Sequence, residues 1–209
     1  MTKDCRTIYV DLDDVLCHAA RHFLFIVERD FGKRIGYEQL TNFDVGHSCG
    51  LGAAERDELY RIVHRSDELL SMAPVDEAIA VLSNWTTHGY EIAIVTGRPP
   101  ESVEVSLEWL AKHRIAHHSF TVVDKYARFA ADSARAISLD ELSSRRFCWG
   151  VEDSLPMAQY LASRMRVPVA LLDRPWNQCS EESGIVRYHD WASLEAAAPE
   201  LAGLIGGRS

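Results

Sequence analysis

The stretch Ile8-Tyr9-Val10-Asp11-Leu12-Asp13-Asp14-Val15-Leu16 decides how the rest of the chain is read. An apolar, β-prone run ends in carboxylates spaced two residues apart. A strand predicted over Thr7–Leu12 delivers its last residues to the rim of a sheet, where open α/β proteins place their chemistry. Side chains on a strand alternate faces, so Asp11 and Asp13 share a face only while the strand continues. Where it breaks into a loop, one carboxylate can attack an electrophile while the other handles a proton. Clustered carboxylates repel, and a site that keeps them ionised recruits a hard cation such as Mg²⁺. Taken in isolation, the segment is equally a strand end with solvated aspartates in a turn.

The surrounding chain narrows the choice. Its 209 residues suit one large domain, or a core domain with a smaller insertion. With 22 Lys and Arg against 31 Asp and Glu, the formal charge of −9 argues against a nucleic-acid backbone as partner. A small phosphorylated substrate is not excluded, because a bound metal reverses the field within one pocket. The cysteines Cys5, Cys17, Cys49, Cys148 and Cys179 form no CxxC pair, so reduced thiols are expected. No apolar signal core follows Met1, and no stretch is long enough to span a bilayer. The expectation is a cytoplasmic protein with no membrane partner. Its oligomeric state is left open, a homodimer among the options.

Short apolar runs alternate with helical patterns. Strands are predicted at Thr7–Leu12, Glu91–Thr96, Phe120–Val123, Phe147–Val151, Val167–Leu172 and Ile185–Tyr188. Helices are predicted at Val75–Thr87, Ser102–His113, Leu155–Arg164 and Ser193–Leu204. That alternation implies right-handed crossovers and an α/β fold with a mainly parallel sheet. From about Cys17 to Ala73 it fails: helical patterns around His18–Asp30 and Ala54–Ser66 flank a glycine-containing loop, with no strand. The expected division is therefore a core of residues 1–16 and 74–209 and a helical cap of residues 17–73. Inserted directly after the first strand, the cap would cover the Asp11 and Asp13 rim.

Three further strand ends carry polar groups. Thr96-Gly97-Arg98 offers a hydroxyl, a glycine that permits close backbone approach and a nearby helix start, which suit an anion; a tight turn explains it as well. Lys125, after Val122-Val123-Asp124, could pair with a phosphoryl group or simply be solvated. Glu152-Asp153-Ser154 returns acids to the same rim, one able to ligate Mg²⁺ directly and the other through water. Acids complementing a helix dipole would look the same. Each piece has a plain explanation, but four such ends in this order are harder to dismiss.

The series Asp11-x-Asp13, Thr96, Lys125 and Glu152-Asp153 resembles the four motifs of the haloacid dehalogenase superfamily, and the likeness spans nearly the whole chain. Within it the chain is most similar to the 5'(3')-deoxyribonucleotidase-like group, through Tyr37–Val45, Leu172–Asn177 and Trp191. The resemblance implies a Rossmann-like core, a small helical cap and a Mg²⁺-dependent phosphomonoesterase. By that analogy Asp11 is the nucleophile that forms an aspartyl-phosphate and Asp13 is the general acid and base. Mg²⁺ would be held by the Asp11 carboxylate, the Asp13 main-chain carbonyl and Asp153, with Glu152 in support. Thr96, Gly97 and Lys125 would bind phosphate oxygens. A reference pKa near 3.9 would leave Asp11 ionised at neutral pH. The implied substrate is a small phosphorylated metabolite, a nucleoside monophosphate being favoured. The alternatives are another phosphohydrolase or phosphotransferase on a non-nucleotide substrate, or a non-catalytic binding domain. Phosphonate cleavage would use a cap lysine, and the cap offers only Lys33.

Two departures stand out. Asp14 occupies a position usually held by glycine, and 26 residues separate Lys125 from Glu152, more than the group leads one to expect. Arg145 or Arg146 could therefore replace Lys125, and the segment Arg128–Arg146 could be a surface helix or a second wall of the pocket. His18 and His22, four apart, lack a third metal ligand, and His113, His117 and His118 are expected to be solvated. Gly46–Gly52 is expected to be a flexible cap loop. Trp176 could stack on a base, although packing is its simpler role.

Overall fold

The computed structural model describes residues 5–129, 135–178 and 182–197. Its centre is β1 (Thr7–Val10), a run of Ile, Tyr and Val that suits a strand buried on both faces. Ile8 and Val10 point into one apolar cluster and Tyr9 into another, so helices cover both sides. Parallel neighbours follow on either side: β2 (Glu91–Thr96), β3 (Ser119–Val123) and β4 (Ala136–Ile137) on one flank, then β5 (Trp149–Glu152), β6 (Val169–Leu172) and β7 (Ile185–Tyr188) on the other. Among the described residues they make one seven-stranded parallel sheet of order β4-β3-β2-β1-β5-β6-β7, the Rossmann-like arrangement expected.

β1 stops at Val10, two residues before the predicted end. Asp11 N still donates to Val151 O at 3.0 Å, but Leu16 N and Cys17 N then both turn back to Leu12 O. The chain leaves the core at Cys17 and returns at Pro74: His18 N donates to Ala73 O at 2.9 Å, and Val75 N to Leu16 O at 2.8 Å. Between these points lie α1 (Ala19–Phe31), α2 (Val45–Ser48), α3 (Ala53–Val63) and α4 (Ser66–Ser71). α1 and α3 match the expected helices. α2 replaces part of the expected flexible loop: Asp44 caps it by accepting from His47 N, and a Cβ on Gly46 would stand 2.8 Å from the Arg56 side chain. α1, α2 and α3 share a cluster built on Ile26, Val27, Leu59, Ile62 and Val63, whereas Leu69 and Met72 at the far end join the main core.

On the core, α5 (Asp76–Thr87) and α6 (Val103–Lys112) pack with the cluster that contains Ile8, and α8 (Leu155–Ser163) with the one that contains Tyr9. β4 and α7 (Leu139–Ser143) went unread because their two- and five-residue spans carry no period. Within Arg128–Arg146 they take the place of a long surface helix, residues 130–134 lying outside the described residues. The predicted helix Ser193–Leu204 is seen as α9, residues 191–197; its remainder, the tail Gly203–Ser209 and Cys179 lie outside the described residues. The four described cysteines are free thiols, and no described helix is long and apolar enough to cross a membrane.

Three tryptophans tie α5, β5 and α9 together. Trp85 meets Trp149 at 4.6 Å and Trp191 at 5.6 Å between ring centroids, and Trp191 Nε1 donates to Val15 O at 2.9 Å, just past the acidic loop. Trp191 is 2% exposed, so Trp191→Ala should cost about 3–5 kcal/mol through the cavity and the unpaired carbonyl. Urea unfolding of the two proteins checks this.

Candidate active site

The polar ends of β1, β2, β3 and β5 converge on one rim. Asp11, Asp13, Gly97, Arg98, Lys125 and Asp153 line a single cavity of about 450 Å³, walled on the other side by Ala19, Ala20, Phe23, Leu59, Val63 and His64 of the helical insertion. Thr96 and Glu152, each 0% exposed, sit behind that wall. Thr96 Oγ1 accepts from Arg98 N at 3.1 Å, which fixes the turn after β2. Gly97 keeps the approach close: a Cβ would lie 3.3 Å from Lys125 Cδ and 3.4 Å from Tyr126 Cε2, so the lysine would have to shift by a few tenths of an ångström.

Lys125 organises the floor. Its ammonium donates to Asp11 Oδ1 at 2.6 Å and to Glu152 Oε1 at 2.8 Å, with only 2% of the side chain exposed. Burial opposes that charge, but Asp11 and Glu152 hold the ammonium well above its ordinary pKa. Glu152 Oε1 also accepts from Tyr9 Oη at 2.8 Å, and its Oε2 from the Asp153 and Ser154 amides at 3.1 and 3.0 Å. Both Glu152 oxygens are thus engaged by the protein, which makes it a brace. The long spacing before Glu152 does not displace Lys125: Arg145 Nη1 is used on Thr121 Oγ1 at 2.6 Å.

Asp11, Glu152 and Asp153 each offer an oxygen within 4.8 Å of the others. Burial pushes the Asp11 carboxyl up to about 8 against the pull of Lys125, above the reference value for an exposed aspartate. Burial likewise raises Asp153, helped by the charges of Asp11, Asp14 and Glu152. Fully ionised, the three carboxylates would set a net double negative charge against the one ammonium, the charge a divalent cation would match. Asp153 Oδ2 is already steadied by Trp176 Nε1 at 2.9 Å; Asp153 Oδ1 and Asp11 Oδ2 take no hydrogen bond from the described residues. Hard oxygen donors with this charge suit Mg²⁺ or a similar ion.

Asp13 has a different environment. Arg98, 2% exposed, grips both of its oxygens, with Nη2 to Oδ1 at 2.6 Å and Nε to Oδ2 at 3.0 Å. Burial alone would raise the Asp13 carboxyl, but the guanidinium brings it below the ordinary range. Arg98 is steadied by Ser106 Oγ at 3.0 Å and lies against Cys17 and Met72 sulfurs. Burial raises the Cys17 thiol, in line with its having no catalytic role. Sequence reading passed over the Arg98 clamp, although Arg98 stands two residues after Thr96. It also passed over Trp176 as a donor to Asp153, since only the folded chain brings these groups together.

The remaining expectations sort quickly. His22 pairs with Glu68 at 2.8 Å within the insertion. His113 packs tilted against Trp109 at 4.7 Å between ring centroids, and His118 Nδ1 accepts from Ile92 N at 3.0 Å, so neither is merely solvated. Lys33 donates to Gly50 O and Glu55 and does not line the cavity. Asp14 has a physical reason for being where glycine is usual. Its φ is 57°, a left-handed conformation that Asp tolerates better than most residues. Its carboxylate accepts from Ala20 N at 3.0 and 3.1 Å, capping α1 where His18 supplies no side-chain cap. Asp14→Gly should therefore lose about 1 kcal/mol of capping, while Asp14→Ala adds about 1–2 kcal/mol of backbone strain. Thermal unfolding should rank wild type above Gly above Ala; an Ala variant as stable as the Gly variant contradicts the strain.

Comparison with known proteins agrees with this geometry. A family model described as 5' nucleotidase, deoxy (pyrimidine), cytosolic type C protein matches residues 5–152. A protein of Halalkalibacterium halodurans named as a nucleotidase is 23% identical over 193 residues, 91% of each chain. Among solved structures, a haloacid dehalogenase-superfamily hydrolase of Ehrlichia chaffeensis shares the fold at TM-score 0.55 and 15% identity, covering 96% of this chain and 99% of that one. Protein tyrosine kinase A of Mycobacterium tuberculosis shares it at TM-score 0.65 and 14% identity, covering 92% and 97%. Likeness at this level shows the fold alone. The family match covers most of the chain and all four polar strand ends through Glu152: this protein belongs to the 5' nucleotidase, deoxy (pyrimidine), cytosolic type C family of the haloacid dehalogenase superfamily, and is a phosphoric monoester hydrolase.

Proposed function

We propose that the protein is a Mg²⁺-dependent nucleotidase that cleaves a small phosphomonoester through an aspartyl-phosphate on Asp11. The observation that carries this reading is the Lys125 clamp. It fixes Asp11 by one oxygen at the floor of a cavity that Asp13 also lines, and leaves the second oxygen without a hydrogen-bond partner among the described residues. Asp11 and Asp153, with the Asp13 main-chain carbonyl, are the groups that would hold the metal. When bound, Mg²⁺ supplies the positive charge that lets a carboxylate approach a dianionic phosphate.

The chain's own residues do the rest. Asp11 attacks phosphorus and the ester oxygen leaves, taking its proton from Asp13. Asp13 then removes a proton from the water that opens the aspartyl-phosphate. Lys125 and the Gly97 amide face the phosphoryl oxygens. Thr96 keeps its hydroxyl proton available at the strand end, since its oxygen is the acceptor for Arg98 N. Residues 17–73 serve as the cap, supplying Phe23, Leu59, Tyr60 and Val63 to exclude water from the core of residues 1–16 and 74–209. Tyr126 and Trp176, with Phe43 5.5 Å from the Tyr126 ring, give the cavity aromatic faces fit for a nucleobase. Free thiols suit a cytoplasmic setting.

Two variants test this. Asp11→Asn should lower turnover of a nucleoside monophosphate by about 10³-fold or more while the fold is retained; turnover within tenfold of wild type overturns the proposal. Asp153→Asn removes a repelling buried carboxyl, so the metal-free variant should melt above wild type. At Mg²⁺ one hundred times its Kd, wild type should gain about 2.7 kcal/mol and the variant almost nothing. Differential scanning calorimetry with and without Mg²⁺ reads both effects.

A further inference from the structure

His64 is the cavity group that the scheme above leaves unused. It ends α3, and its Nδ1 lies 2.7 Å from Tyr60 O. A carbonyl can only accept, so Nδ1 carries the proton and Nε2 is left with a lone pair. The ring packs tilted against that of Tyr60, 4.2 Å between centroids, and it lines the cavity with Asp13, Arg98 and Val63. Burial lowers its pKa below the ordinary histidine value, with Asp13 pulling the other way and Arg98 and Arg128 adding to the loss. The imidazole is therefore neutral at pH 7.

Among the described residues none gives it a hydrogen bond. Arg98 spends its guanidinium on Asp13, Ser106, Cys17 and Met72, Arg128 lies over the Tyr126 ring at 4.9 Å, and Phe23, Leu59 and Val63 have no donor to offer. A neutral acceptor thus stands on the cap side of the cavity, within electrostatic reach of the carboxylate assigned to protonate the leaving group. An apolar group there would leave the lone pair desolvated and unpaired. An O–H or N–H satisfies it.

We propose that His64 Nε2 accepts a hydrogen bond from a hydroxyl of the leaving alcohol, so that the cap selects hydroxyl-bearing phosphomonoesters of the sugar and nucleoside type over deoxygenated ones. This rests on the phosphomonoesterase reading. It makes His64 a specificity-determining residue of the same site.

The experiment compares kcat/KM for matched pairs: glycerol 1-phosphate with propyl phosphate, and thymidine 5'-monophosphate with its 3'-deoxy analogue. p-Nitrophenyl phosphate serves as a reference without a hydroxyl. Wild type should prefer the hydroxyl-bearing member of at least one pair by about tenfold or more. His64→Leu should bring that ratio close to one, and His64→Gln, which restores an acceptor oxygen, should recover much of it. Equal kcat/KM for both members in wild type, or a preference that survives in His64→Leu, overturns the proposal while hydrolysis of the reference compound keeps the phosphatase reading. If wild type hydrolyses none of the compounds, both readings fall. Nitrogen-15 spectra of the histidine rings at pH 7 give a readout without turnover: the Nδ1–H tautomer is expected for His64, and an Nε2–H tautomer or an imidazolium contradicts it.

Discussion

Lys125 sits at 2.6 Å from Asp11 and 2.8 Å from Glu152, almost without solvent, and the rest of the site follows from that arrangement. A buried ammonium is tolerable only with carboxylates around it, and buried carboxylates only with matching positive charge. The protein supplies one lysine for three acids, and on the proposed function that imbalance is what would draw a cation into the site. Glu152 absorbs the structural part of the load. Tyr9 and two amides engage it, so that Asp11 and Asp153 can each keep an oxygen for a ligand. Parallel strands make the arrangement possible, because β1, β2, β3 and β5 all end at the same rim.

Asp13 shows how the same rim gives a second carboxylate a different environment. Its partner is Arg98, a permanently charged group, and the pair keeps Asp13 ionised without a metal. That favours the proton-accepting half of the proposed cycle. The proton-donating half requires the approaching phosphate to compete for Arg98 and so relax the clamp. Residues of α1 and α3 wall the cavity opposite both acids, and a neutral His64 beside them would add no charge to this balance.

Much of this was legible in the residues. Apolar runs covered on both faces marked the strands, and the order Asp11, Asp13, Thr96, Lys125, Glu152-Asp153 marked the rim. What escaped has physical causes. β4 and α2 are too short to show a period. The clamp of Arg98 on Asp13 joins residues 85 apart in sequence, and Trp176 reaches Asp153 across 23, distances at which no local pattern speaks. Asp14 looked like surplus charge at the site; its left-handed backbone and its bonds to Ala20 N show a helix cap. The pKa of Asp11 could not be read from residue type, because burial, absent from the sequence, outweighs the reference value.

The central claim is that Asp11 carries the phosphoryl group, and trapping it there is the most direct test. With Asp13→Asn, p-nitrophenyl phosphate and Mg²⁺, the first step needs no acid because the leaving group is already good, while the second lacks its base. Rapid acid quench followed by peptide mass spectrometry should find a phosphoryl group on the peptide bearing Asp11, formed in step with the burst of nitrophenol. A burst with no phosphorylated peptide, or with the phosphoryl group on another residue, would contradict the account.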